Sequence, residues 1–149
     1  MNSKKSYIFY IVLILIPLAY GFLVNNLMIP LSPFFAQLVF LVFWFYVGFR
    51  FSKLNMAAWK SFLLGNVAWL ISFILFVWQF IVLDSASRSM ELALLSQHYM
   101  LAFVFGAARL LPFMSNGTTI IFNAYIFMLI TFTLGFLMKN EIGRSKAHG

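Results

Sequence analysis

The 149-residue chain contains no cysteine. It therefore has no disulfide, no thiolate nucleophile and no sulfur-ligated metal, and its composition carries no mark of a redox compartment. Acidic residues are almost as scarce, with Asp84, Glu91 and Glu141 the only three. An acid–base pair of carboxylates would have to be assembled from Asp84 and Glu91, at either end of one loop. A proton-coupled exporter keeps a carboxylate inside the membrane, and only Glu91 could approach that role. Histidine is limited to His98 and His148, too few for a zinc site. There is no G-x-S-x-G elbow and no glycine-rich phosphate loop. These absences lead us to expect no catalytic residue, no cofactor and no metal.

What the chain has in excess is apolar surface. Hydrophobic residues make up 64% of it and charged residues 9%, against the ~45–50% and ~25% usual in soluble domains. A single domain of this length has no interior large enough for so much apolar surface, so part of its solvent must be lipid. The expected fold class is an all-α integral membrane helical bundle of five helices. Four of these span the bilayer, and a five-span arrangement is the alternative.

The formal net charge of +7 would point to nucleic acid in a soluble protein. Here the cations are scattered near helix ends, with no basic stripe and no recognition motif. The expected partners are the lipid bilayer and its anionic head groups, not nucleic acid.

Taken in order, Lys4 and Lys5 precede an apolar run over 7–24. The run is longer than a secretory signal core and further spans follow, so it reads as the first span despite its Ala19-Tyr20-Gly21 trio. Pro17 is expected to kink it. Ser32 as cap and Pro33 at the first helical position open a second span over 34–51. That span has Trp44 and Tyr46 as interfacial anchors and Gln37 as the only strongly polar residue inside it ahead of the terminal Arg50.

The third span, 57–83, is expected to be the element around which the others are organised. At ~1.5 Å per residue it exceeds the ~30 Å hydrocarbon core. Ala57, Ser61, Gly65, Ala68 and Ser72 recur every three or four positions and line one face suited to close helix packing. Trp59 and Trp78 mark its two ends, and Asn66 and Gln79 are expected to bond to other helices.

A polar loop over 84–91 leads to the ambiguous segment 92–112. It is long enough to span, yet it holds Gln97, His98 and Arg109, and Glu91, His98, Ala102 and Arg109 share one face. It reads as an amphipathic or re-entrant helix at the interface, or as a fifth span with its polar stripe inward. Arg109, with His98, Glu91 and Gln97, is the candidate contact for an anion, a lipid or a partner. A guanidinium binds phosphate or carboxylate through paired hydrogen bonds, and His98 would add sensitivity to pH.

Ser115 or Asn116 caps the last span, 119–138. The Asn-Gly turn there accounts for Asn116-Gly117-Thr118 without invoking glycosylation. Ala124, Thr131 and Gly135 give this helix its own small face, and the basic tail from Lys139 onward is expected to be frayed.

Charge orients the bundle. With the N-terminus in the cytoplasm and 92–112 uncrossed, Lys4, Lys5, Arg50, Lys53, Lys60, Lys139, Arg144 and Lys146 lie inside, and only Arg88 and Arg109 lie outside. Letting 92–112 cross as a fifth span spoils that asymmetry. The expectation is a multi-pass protein of a prokaryotic cell membrane with both termini cytoplasmic. Its expected role is that of a non-catalytic accessory, regulatory or scaffold subunit, packing on a membrane-protein partner or a second copy through exposed small-residue faces. The alternatives are a homo-oligomeric transporter or channel lined by the polar face of 92–112, and a lipid-modifying enzyme using His98 as base.

Overall fold

The computed structural model describes residues 3–27, 32–110 and 116–145. Among the described residues there are helices and no strand. They are α1 (Ser3–Leu27), α2 (Pro33–Ser52), α3 (Ala58–Gly65), α4 (Val67–Val77, continued by a π-turn over Trp78–Val82), α5 (Met90–Leu110) and α6 (Gly117–Ser145). The chain is a helical bundle. Its outward faces are apolar: Ile8 on α1, Val42 on α2 and Ile74 on α4 are 61%, 72% and 57% exposed, a surface suited to hydrocarbon and not to water. Three stretches, Tyr7–Asn25, Pro33–Ser52 and Gly117–Met138, are long and apolar enough to cross a membrane, and α3 with α4 makes a fourth if counted together.

Local signals open the elements where expected. Ser32 and Pro33 start α2, without a side-chain bond from Ser32. Asn116 starts α6: its Oδ1 accepts from the Thr118 N–H at 3.0 Å and its carbonyl from Thr119 and Ile120. Helix α1 is continuous across Pro17, which is buried, and α6 stays helical to Ser145 where fraying was expected from Lys139.

Ring contacts give the sense of each helix. Tyr10 meets Phe51 and Tyr20 meets Phe40, so α1 and α2 are antiparallel. Trp44 meets Tyr99 and Phe34 meets Phe105, so α5 runs against α2. It runs with α1, whose Leu15 and Leu18 lie beside Leu95 and Tyr99, and whose Tyr20 and Val24 lie beside Leu101 and Phe105. Call the end where α2 stops the near end, and the end where α2 begins the far end. Helix α5 then starts near and finishes far, and α6 returns, with Phe132 against Phe51. Helix α3 also starts at the near end, and Gln79 at the close of α4 binds Ser89 just before α5. The α3–α4 segment therefore leaves the near end and comes back to it.

This corrects two expectations. The stretch 57–83 is neither straight nor central: it breaks at Asn66, and its halves are bent by 55°. Gly65 and Asn66 are adjacent poor helix formers. Asn66 donates through Nδ2 to the Phe62 carbonyl of its own turn at 3.0 Å, while its own carbonyl starts α4 by accepting from Leu70 at 2.7 Å. Asn66 thus spends its side chain locally instead of on another helix. The second correction concerns α5. It is no interfacial helix but the interior one, packed against α1, α2, α4 and α6, with Tyr99, Met100, Phe103 and Ala107 buried. Trp44, expected at a membrane interface, is likewise fully buried in the core, while Trp59 and Trp78 are exposed.

Helices α2 and α6 approach backbone to backbone. A Cβ at Gly48 would collide with the Phe132 carbonyl, and one at Gly135 with the Phe45 carbonyl. Neither collision can be relieved by turning a flexible side chain. Gly48→Leu or Gly135→Leu is therefore expected to cost about 1–3 kcal/mol or more, read as an earlier midpoint in SDS titration of the detergent-solubilised protein. Gly117, with open space around it, is the control. Gly117→Ala should be neutral or gain up to ~1 kcal/mol.

Candidate functional site

The bundle interior holds a cluster of hydroxyl groups that fastens its helices. Tyr125 on α6 donates from its hydroxyl to the Ser96 carbonyl on α5 at 2.6 Å. The Ser72 hydroxyl on α4 lies 2.6 Å from the Tyr125 hydroxyl oxygen and 3.1 Å from the Ser96 carbonyl. Trp69 Nε1 donates to the Tyr125 carbonyl at 3.1 Å. One turn further along α5, the Tyr99 hydroxyl donates to the Ile14 carbonyl on α1 at 3.0 Å. Ser96 satisfies its own hydroxyl on the Ala93 carbonyl at 2.7 Å. In a low-dielectric interior such bonds are strong because the alternative is an unpaired polar group. Of these residues only Ser72 stood out in the sequence. The available signal for the others was a lone tyrosine hydroxyl in the middle of an apolar run.

The residues singled out on α5 do not converge. Glu91 is exposed in its first turn and Arg109 exposed in its last, about 27 Å apart by helical rise. Gln97 is half-buried between them. His98 is half-buried too, with its ring edge-on to Phe22 and its buried Nε2 without a partner. The middle of the proposed polar stripe, Ala102, is buried. The shared face is therefore covered where it passes through the bundle and bare only at its ends. Among the described residues, no three His, Asp or Glu side chains are grouped to hold a metal. In the loop ahead of α5, Asp84 accepts from Ser87 at 3.0 Å. Bonds from the Ser87 hydroxyl and N–H hold its carboxyl below the usual range.

The small-residue faces, expected to be exposed for a partner, are consumed inside the bundle. Ser61, Gly65 and Ser72 are buried, as are Ala124, Thr131 and Gly135. Gly65 receives the Phe132 ring, and Thr131 bonds back to the Phe127 carbonyl of its own helix at 2.8 Å. Ala68 is half-buried, and Ala57 is exposed ahead of α3.

One open groove is notable. It lies between the start of α2 and the end of α5, with a volume of about 590 Å³, and is lined by Phe34, Gln37, Leu38, Leu41, Phe105, Gly106 and Arg109. Gln37 rests on Gly106, where any Cβ would displace it. Its Oε1 is buried with no partner. The Arg109 guanidinium lies 5.5 Å over the Phe105 ring.

Tyr125→Phe keeps the ring and removes one hydroxyl. It should lower stability in detergent by about 1 kcal/mol, within the range found for hydrogen bonds between membrane helices. Adding Ser72→Ala to that variant should cost less than Ser72→Ala alone, because the shared bond has already gone. No family model matches this chain, and no curated protein or solved structure matches it either, so the roles assigned to these residues rest on their own geometry.

Proposed function

We propose that this chain is a multi-pass protein of a cell membrane that acts without chemistry of its own, as an accessory or scaffold subunit of a membrane assembly. The observation that carries this reading is the separation of Glu91, His98 and Arg109 along α5. Groups that would share a proton or a substrate stand at opposite ends of the helix or against an aromatic ring. The interior hydroxyls support the same reading, because they bind helix to helix and leave a firm apolar body. Transport along the polar face of α5 is not favoured, since the part of that face inside the bundle is packed.

The arrangement of helix ends favours one orientation. Lys4 and Lys5 open α1, Arg50 and Lys53 close α2, and Lys60 opens α3. Arg88 precedes α5, and Lys139 and Arg144 follow the apolar part of α6. Among the described residues these eight belong to the near end, leaving Arg109 alone at the far end. This asymmetry is sharper than the one expected from sequence, and positive charge marks the cytoplasmic side. We therefore place the near end, with both termini, in the cytoplasm. The spans are then α1, α2, α5 and α6, and α3–α4 is a re-entrant excursion. Although Gln97, His98 and Arg109 make α5 less apolar than its neighbours, an interior helix is shielded from lipid by the others and tolerates them.

A photo-reactive residue in place of Ile74 or Val42, both exposed on the outer surface, tests the subunit reading in native membranes. A discrete protein adduct from one face is expected. Lipid adducts alone from both positions, with only monomer recovered, would contradict it.

A further inference from the structure

We infer that the groove between α2 and α5 is a binding site for one anionic phospholipid with a hydroxyl-bearing head group. Its phosphate would be held by Arg109, its head-group hydroxyl by Gln37, and an acyl chain by the apolar wall.

The charge argument comes first. Arg109 is the one cation at the far end, and that end has no acid to answer it: Asp84 and Glu91 flank the near-end loop, and Glu141 follows the apolar part of α6. Among the described residues no carboxylate lies within ion-pair distance of Arg109, whose contact is the Phe105 ring. A guanidinium presents a planar fork of donors that matches phosphate oxygens two at a time. The opening turn of α2 adds to the attraction. Pro33 sits at its start and Ser32 supplies no side-chain cap, while the Ala36 N–H is already bonded to the Ser32 carbonyl, so the N–H groups of Phe34 and Phe35 stand at the positive end of the helix dipole.

The second argument is the orphaned amide. Gln37 Oε1 is buried and unpartnered, and a buried acceptor without a donor costs ~1–3 kcal/mol. Position 37 is otherwise surrounded by apolar side chains, and Gly106 opposite provides the room for its amide. Gln37 itself lines the groove, so a turn of its amide brings the buried Oε1 within reach of a head-group hydroxyl on a phosphate held at Arg109, one turn further along α5. That hydroxyl supplies the missing donor. Inorganic phosphate alone would satisfy Arg109 and leave both Gln37 and the apolar wall unoccupied.

The third argument is shape. The groove volume of about 590 Å³ lies within the ~300–1,000 Å³ of small-molecule sites. Phe34, Leu38, Leu41 and Phe105 line its wall. Its charged rim stands at two helix ends, the depth at which head groups sit, while its floor runs toward the bundle middle. That gradient from charge to hydrocarbon is that of a lipid.

The test is lipid retention by the full chain. The protein is equilibrated in nanodiscs of equimolar phosphatidylglycerol, phosphatidylethanol and phosphatidylcholine, moved to detergent, and its bound lipid read by native mass spectrometry. Wild type should retain phosphatidylglycerol about tenfold over phosphatidylcholine, the scale of one charge-assisted pair. Arg109→Gln should abolish that preference. Gln37→Leu should keep the preference for anions but equalise phosphatidylglycerol and phosphatidylethanol, which is anionic and lacks the hydroxyls. Equal retention of all three lipids by wild type would overturn the site without reference to any variant. So would retention unaffected by Arg109→Gln, or displacement by inorganic phosphate. None of these outcomes depends on whether the chain has a protein partner, so the site and the subunit reading can fail separately.

Discussion

The structure depends on α5 being held in the interior, and the hold is a set of hydroxyl-to-carbonyl bonds. Tyr125 and Ser72 clasp the Ser96 carbonyl from α6 and α4, and Tyr99 reaches the Ile14 carbonyl on α1. In hydrocarbon, burying apolar surface does not by itself draw helices together, so such bonds and close packing decide the arrangement. The approach of α2 to α6 at Gly48 and Gly135 provides the other half of that arrangement. With α5 held between α1 and α2, the excursion α3–α4 is displaced to the periphery. There its ridge of exposed apolar side chains faces outward, and its interior hydroxyls reach inward.

Holding α5 in this way also sets the electrostatics. Its start is brought to the end where eight cations of the described residues gather, and its last turn to the opposite end, beside the first turn of α2. Among the described residues Arg109 is left there without a carboxylate partner, next to an unsatisfied Gln37 amide. A protein with so few charges has few means of binding anything polar, and this juxtaposition of cation, amide and apolar wall is the most developed one among its described residues. Helix packing, charge placement and the lipid site are therefore consequences of the same placement of one helix.

Much of the local structure was legible in the sequence. Ser32-Pro33 and Asn116-Gly117 announce helix starts through chemistry confined to a few adjacent residues; both mark starts in the structure, Asn116 with a side-chain cap bond and Ser32 without one. The break at Asn66 was not legible. A Gly-Asn pair in an apolar run is compatible with a continuous helix, and the Phe132 ring that packs onto Gly65 comes from a distant part of the chain. The interior position of α5 was hidden for the opposite reason. Hydropathy reports affinity for lipid, and a helix covered by its neighbours needs less of it than they do. The Ser72–Tyr125 bond joins residues 53 positions apart, which no periodicity encodes. Among the candidate contacts Arg109 was visible as an unusual charge, but its companion proved to be Gln37 and not Glu91 or His98. Sharing a helix face says nothing about which neighbouring helix covers that face.

The central claim is that α5 crosses the bundle while α3–α4 leaves one side and returns to it. Compartment-specific reporters fused at Ser89 and at Asn116 test it most directly, because these two residues bracket α5. The account predicts Ser89 on the same side as the N-terminus and Asn116 on the opposite side. Ser89 and Asn116 reporting from one compartment would contradict it.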